Sequence, residues 1–132
     1  PNSAPTIVRG KGQRVLVVDD EPEILKAMHD LLEHLGYKSV LASSGREGLE
    51  KYRGTRPDAV LMDINMPEMD GVSCTEKILD LNPAARIAFI SGVEVGSLDQ
   101  LGERVKNVVT TFLTKPVELA DLSATLSRML QK

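Results

Sequence analysis

The chain has no tryptophan, and two tyrosines and two phenylalanines supply its 3% of aromatic residues. Surfaces that hold single-stranded nucleic acid need aromatic faces on which bases stack, and this composition cannot furnish one. A basic field for phosphate backbones is missing too: 16 Lys and Arg stand against 19 Asp and Glu, a net charge of −3. Direct nucleic-acid binding is therefore not expected. Cys74 is the sole cysteine, which excludes an intrachain disulfide and the stapled scaffolds of secreted domains. No apolar run approaches the roughly 18 residues of a membrane span, and no basic-then-apolar leader opens the sequence. The composition leads to the expectation of a soluble, cytoplasmic protein without membrane contact.

What is present suits one compact domain: 132 residues, 42% of them apolar, can build a single ordinary core. Residues 1–13, "PNSAPTIVRGKGQ", mix Pro, Ser, Gly and basic residues without periodicity, and are expected to be a flexible tail, a linker or an expression remnant. Residues 14–132 form the expected domain. There, short apolar runs alternate with stretches of 3.6-residue period.

The runs are "RVLVV" (14–18), "KSVLA" (38–42), "DAVLM" (58–62), "RIAFI" (86–90) and "TTFLT" (110–114). Continuous Val, Ile, Leu and Met suit strands covered on both faces. Between them, residues 22–35 place Ile24, Leu25, Met28, Leu31, Leu32 and Leu35 on one stripe, with Pro22 suited to a first turn and Gly36 to a stop. Ser44 and Glu47 have the spacing of a capping box for a helix over about 45–53, in which Gly48 is a weak point. Further helices are predicted over about 71–81, 97–107 and 118–130. Five strand-helix alternations predict an α/β fold with right-handed crossovers and helices on both faces of an open parallel sheet.

In such sheets, sites form beyond the carboxyl ends of the strands. The residues at those ends are Asp19 and Asp20, Asp63 and Asn65, Ser91 and Gly92, and Lys115 and Pro116. If the first and third strands are neighbours, Asp19, Asp20 and Asp63 share one small volume. At about 4 Å and an effective dielectric near 20, each like pair repels by about 4 kcal/mol, and three pairs would oppose folding by an amount comparable to a domain's whole stability. A cation must offset this, or carboxylates must protonate. An all-oxygen set calls for Mg²⁺, or Mn²⁺, rather than zinc. Such an ion would make phosphoryl chemistry at a carboxylate feasible by screening one anion from another. Lys115 supplies a second positive charge, placed against the dipole of the helix it precedes, and the Ser91 hydroxyl can donate to an oxygen of the same group.

Each residue alone has a plainer reading. Asp19 and Asp20 can cap a helix, Asp63 and Ser91 can serve turns, "PEMDG" is sound turn chemistry in which Asp70 needs no chemical role, and Phe112 can be core. His29 and His34 are expected on the surface, and Cys74 as a small buried apolar residue.

Taken together, "VVDDEP", "LMDINMPEMDG", "ISG" and "FLTKP", in that order on successive strand ends, resemble the receiver domain of two-component response regulators over about residues 14–130. The resemblance implies a flavodoxin-like, CheY-like doubly wound sheet of order 2-1-3-4-5. It implies that Asp63 is the phosphoacceptor, taking a phosphoryl group from a phosphohistidine on a sensor histidine kinase or histidine phosphotransfer domain within a phosphorelay. Asp19 and Asp20 would hold Mg²⁺ with Asp63 and the backbone carbonyl of Asn65. Ser91 would be the switch hydroxyl, Lys115 the partner of the phosphoryl oxygens, joined to Pro116 by a cis peptide, and Phe112 the aromatic that swings inward. The face of helix 4, strand 5 and helix 5 would then engage an effector domain or a second copy. The module would be no enzyme beyond its own phosphorylation and dephosphorylation. Residues 93–109 depart from the family pattern, with Val108 and Val109 where Gly-Ala is usual. Two alternatives lack their signatures. An aspartyl-nucleophile phosphatase would carry Asp-x-Asp after the first strand, and a flavodoxin-type module a hydroxyl- and glycine-rich loop there. A degenerate receiver acting only as a binding module is disfavoured because every site residue is present.

Overall fold

The computed structural model describes residues 7–64, 66, 69–92, 103–109 and 111–130. Its elements run β1 (Arg14–Val18), α1 (Pro22–His34), β2 (Lys38–Ala42), α2 (Gly45–Thr55), β3 (Ala59–Asp63), α3 (Gly71–Leu81), β4 (Ile87–Ser91), α4 (Glu103–Val108), β5 (Phe112–Thr114) and α5 (Leu119–Leu130). The strands form one parallel sheet in the order β2-β1-β3-β4-β5.

The period of two in each buried strand splits the core into two layers. Leu16, Val18, Val60, Met62, Ile87 and Phe89 point to the side covered by Tyr52, Cys74, Ile78, Leu79 and Val105 of α2, α3 and α4. Val15, Val17, Leu61, Ala88 and Ile90 point to the other, against Met28, Leu32, Leu35, Leu122 and Leu126 from α1, its C-terminal cap and α5. Each large side chain so enclosed contributes about 1.5–3 kcal/mol relative to leaving it exposed.

Two strands sit one residue later than the apolar runs predict. Their starts, Asp58 and Arg86, fall outside, while Asp63 and Ser91 are strand residues. The cause is backbone pairing that outlasts the apolar run: Ile64 N–H donates to Ile90 O at 3.2 Å and Lys115 N–H to Ser91 O at 2.8 Å. The expected helix over 97–107 is described as α4 from Glu103 onward; its first half lies outside the described residues.

Local chemistry fixes the helix ends. Ser44 accepts from the Glu47 N–H at 3.1 Å, as its spacing predicts, and the Glu47 carboxylate accepts from Ser43, one residue before the cap, whose hydroxyl donates at 3.0 Å. Asp70 accepts from the Ser73 N–H at 2.8 Å and starts α3. Gly36 has φ +88° after α1, a left-handed stop. Gly48 is more than a weak point in α2: a Cβ there would lie 2.9 Å from Val18 Cγ2, so its absence lets the helix seat on β1.

Residues 8–13, expected above as part of a tail, run along the body. Gly10 N–H donates to Leu35 O at 2.6 Å, Gly12 N–H to Gly36 O at 2.8 Å, and Val8 exchanges two bonds with the Ser123 hydroxyl at 2.7 and 3.0 Å. Gly10 lies over the Tyr37 ring, which is buried. His34 is exposed as expected, whereas His29 is half-buried and hydrogen-bonded through Nδ1 to Ser39.

Candidate functional site

At the carboxyl edge of the sheet, β1 and β3 are hydrogen-bonded neighbours, so Asp19 and Asp63 leave it side by side. Both are enclosed: Asp19 is 0% exposed and Asp63 2%. Two carboxylates so deeply buried cannot stand without a counter-charge. Lys115, delivered by the end of β5, supplies it. Its Nζ lies 2.9 Å from Asp19 Oδ2, 3.1 Å from Glu21 Oε1 and 3.6 Å from Asp63 Oδ1. Burial alone depresses the lysine's proton affinity. The Asp19 and Glu21 hydrogen bonds and the charges of Asp19 and Asp63 outweigh it, holding the ammonium above its ordinary value.

Several backbone features aim these groups. Asp19 N–H donates to Ala42 O at 3.1 Å, continuing the sheet beyond β1, while its Oδ1 accepts the Glu21 N–H at 2.9 Å and turns the chain into α1. Pro22 occupies the first turn, where a missing N–H is harmless. Gly71 lets α3 start against the end of β3: a Cβ there would lie 2.2 Å from Asp63 O and 2.8 Å from Ile64 Cα, and its N–H donates to Ile64 O at 2.9 Å. Ser91, 4% exposed, ends β4 opposite Thr114. The Lys115-Pro116 peptide is cis. Phe112 is half-buried, its ring 5.7 Å from that of Phe89 at an angle of 53°.

The structure thus brings together Asp19, Asp63 and Lys115, with Ser91 on the next strand, as read from the sequence. Asn65 lies outside the described residues. One residue was not singled out. Glu21 joins Asp19 and Asp20 in a group whose ligand oxygens lie within 4.8 Å of one another, and it also holds the lysine. Its signal was the crowding of three acids before Pro22. Cys74 is fully buried with its thiol pushed up to about 11, chiefly by burial and then by the Asp70 charge, and has no place in the site.

The donor set fits a hard divalent cation. Asp19, Asp20 and Glu21 offer only carboxylate oxygens. Asp19 Oδ2 is buried with no well-directed hydrogen bond among the described residues, and a cationic group already stands 2.9 Å from it.

Residues 15–127 match the response regulator receiver domain family. The chain belongs to that family. It is a receiver module of two-component signal transduction, with the parallel 2-1-3-4-5 sheet of CheY-like proteins. It is 34% identical over 119 residues to the chemotaxis protein CheY of Thermotoga maritima, covering 89% of this chain and 98% of that protein. It is 37% identical to the protein-glutamate methylesterase/protein-glutamine glutaminase of Archaeoglobus fulgidus, covering 90% of this chain but 34% of that longer protein. The CheX-CheY-BeF3-Mg complex of Borrelia burgdorferi holds a chain similar at TM-score 0.80 and 28% identity, covering 91% of this chain and 90% of that one. Receiver domains bind Mg²⁺ in an acidic pocket and interact with histidine kinases and effectors. No described helix is long and apolar enough to cross a membrane.

Proposed function

We propose that Asp63 is the phosphoacceptor of a Mg²⁺-dependent receiver domain spanning residues 14–132. In this reading a carboxylate oxygen of Asp63 attacks the phosphorus of a phosphohistidine on a sensor kinase or phosphotransfer domain. The P–N bond breaks, and the imidazole leaves with its electron pair and takes up a proton. Asp19, Asp20, Asp63 and the backbone carbonyl of Asn65 would hold the ion. When bound, it supplies charge neutralisation between nucleophile and phosphoryl group. Lys115 pairs with the transferred group, the Ser91 hydroxyl donates to one of its oxygens, and Phe112 moves into the space vacated. That shift biases the face formed by α4, β5 and α5 toward an effector or a second copy.

The observation that carries this reading is the ammonium of Lys115 within 3.6 Å of three carboxylates, Asp19, Glu21 and Asp63. A site so charged holds cations and accepts anions only with their help. The similarity to a CheY crystallised with BeF3 and Mg adds support. The chain catalyses only its own phosphorylation and dephosphorylation, in a cytoplasmic setting. The methylesterase activity of the Archaeoglobus relative is not carried over, because the matched region is 34% of that protein. The test is incubation with Mg²⁺ and a small acyl or amidophosphate donor, with the adduct mapped by mass spectrometry. Label on Asp63 that disappears in Asp63→Asn is expected; a folded wild type that gains none refutes it.

A further inference from the structure

Lys115 and a divalent cation would compete for the same carboxylate, that of Asp19. Asp19 Oδ2 is buried, lies 2.9 Å from Lys115 Nζ, and belongs to the only acid group among the described residues gathered tightly enough for a metal. A doubly charged ion arriving there repels the ammonium, so the lysine must move off Asp19 without leaving the site.

We infer that Glu21 is a positioning residue that receives the Lys115 ammonium as a divalent cation enters, so that lysine and metal are held together rather than exchanged. This rests on the receiver reading above. Of the three acids around Nζ, Glu21 alone is well exposed, its side chain 53% accessible against 0% for Asp19 and 3% for Asp63. It can therefore follow a displaced ammonium, while its backbone stays tied to the metal site by the 2.9 Å bond from its N–H to Asp19 Oδ1. Glu21 also stands at the cap position of α1, yet makes no side-chain capping bond. Its carboxylate is turned to Lys115 Nζ at 3.1 Å instead.

Shared partners imply coupling between separate residues. With Glu21 present, the displaced lysine keeps a charge partner and metal entry is easier. With glutamine there, the ammonium competes harder for Asp19. The alternative, in which Glu21 acts on the metal directly, does not need the lysine.

The experiment is calorimetric titration of MgCl₂ into the full chain, comparing wild type, Glu21→Gln, Lys115→Met and the double variant. Glu23→Gln, an exposed acid in the same first turn, controls for loss of one charge. Glu21→Gln is expected to weaken Mg²⁺ binding about fivefold or more, and in the Lys115→Met background only as much as Glu23→Gln does. A Glu21→Gln loss no larger than that of Glu23→Gln, or one that persists without Lys115, overturns the inference while leaving the receiver reading intact. Wild type that binds no Mg²⁺ overturns both. Thermal melts of each variant establish that it is folded.

Discussion

Lys115 Nζ comes closer to Asp19, at 2.9 Å, than to Asp63, at 3.6 Å. The lysine is thus placed first to neutralise the acids that follow β1, and only secondarily Asp63. Removing it strands the fully buried Asp19 carboxylate without its counter-charge. Lys115→Met is expected to lose roughly 1–3 kcal/mol in EDTA, below the ~3–5 kcal/mol of a fully enclosed pair because one of its partners, Glu21, faces solvent. Saturating Mg²⁺ should narrow the gap, because the variant has no ammonium competing for Asp19, binds the ion more tightly and so gains more from mass action than wild type does. Urea unfolding with EDTA and with Mg²⁺ checks this; equal midpoints for variant and wild type in EDTA would refute the offsetting role.

Two glycines predict opposite outcomes for one added methyl. At Gly71 the new carbon would lie 2.2 Å from Asp63 O, backbone that cannot yield without displacing Asp63, the proposed acceptor. Gly71→Ala should therefore cost about 1–3 kcal/mol as overpacking and slow phosphorylation as well. At Gly54, in α2, nothing lies within 4 Å. Gly54→Ala should gain about 0.5–1 kcal/mol from helix propensity and leave phosphorylation unchanged. Urea midpoints and initial labelling rates on the same preparations decide both.

Those glycines also mark where the sequence could be read and where it could not. The strands were legible because a two-sided sheet demands continuous apolar runs, and the edge residues Asp63, Ser91 and Lys115 followed from topology. The one-residue displacement of β3 and β4 was not, because main-chain pairing such as Lys115 N–H to Ser91 O does not depend on side-chain hydropathy. The close approaches at Gly48 and Gly71 depend on how helices seat on the sheet. Glu21 was visible as a third adjacent acid, but its role needed the position of a residue 94 places away.

Stability should fall at both ends of the pH range, for separate reasons. Glu47 is held below the usual carboxylate range, first by the Ser43 N–H it accepts and further by the Ser43 hydroxyl and Lys51. A depressed acid adds stability that is present above its ordinary value of 4.5 and lost as pH falls through its folded value. Lys115, held above 10.5, adds stability that is full below 10.5 and lost as pH rises through its folded value. Melting curves in EDTA should show Glu47→Ala below wild type at pH 7 and converging with it toward pH 3. Lys115→Met should converge with wild type only in strong alkali. A Glu47→Ala gap that stays constant into acid would show that the carboxylate charge contributes nothing.

The contact of greatest chain separation among the described hydrogen bonds ties Val8 to Ser123, 115 residues apart, on the inner side of α5. Ser123 is 0% exposed and satisfies both the N–H and the C=O of Val8. Two part-buried bonds at about 0.5–1.5 kcal/mol each set the scale of their loss. Ser123→Ala is expected to destabilise by about 1–2 kcal/mol and to free the leading segment. Amide exchange then distinguishes a latch from a bystander: the N–H groups of Val8 and Gly10 should lose protection in the variant while those of β1 keep theirs. The opposite pattern, with β1 loosened and Gly10 unchanged, would mean that Ser123 supports the core rather than the segment laid across it.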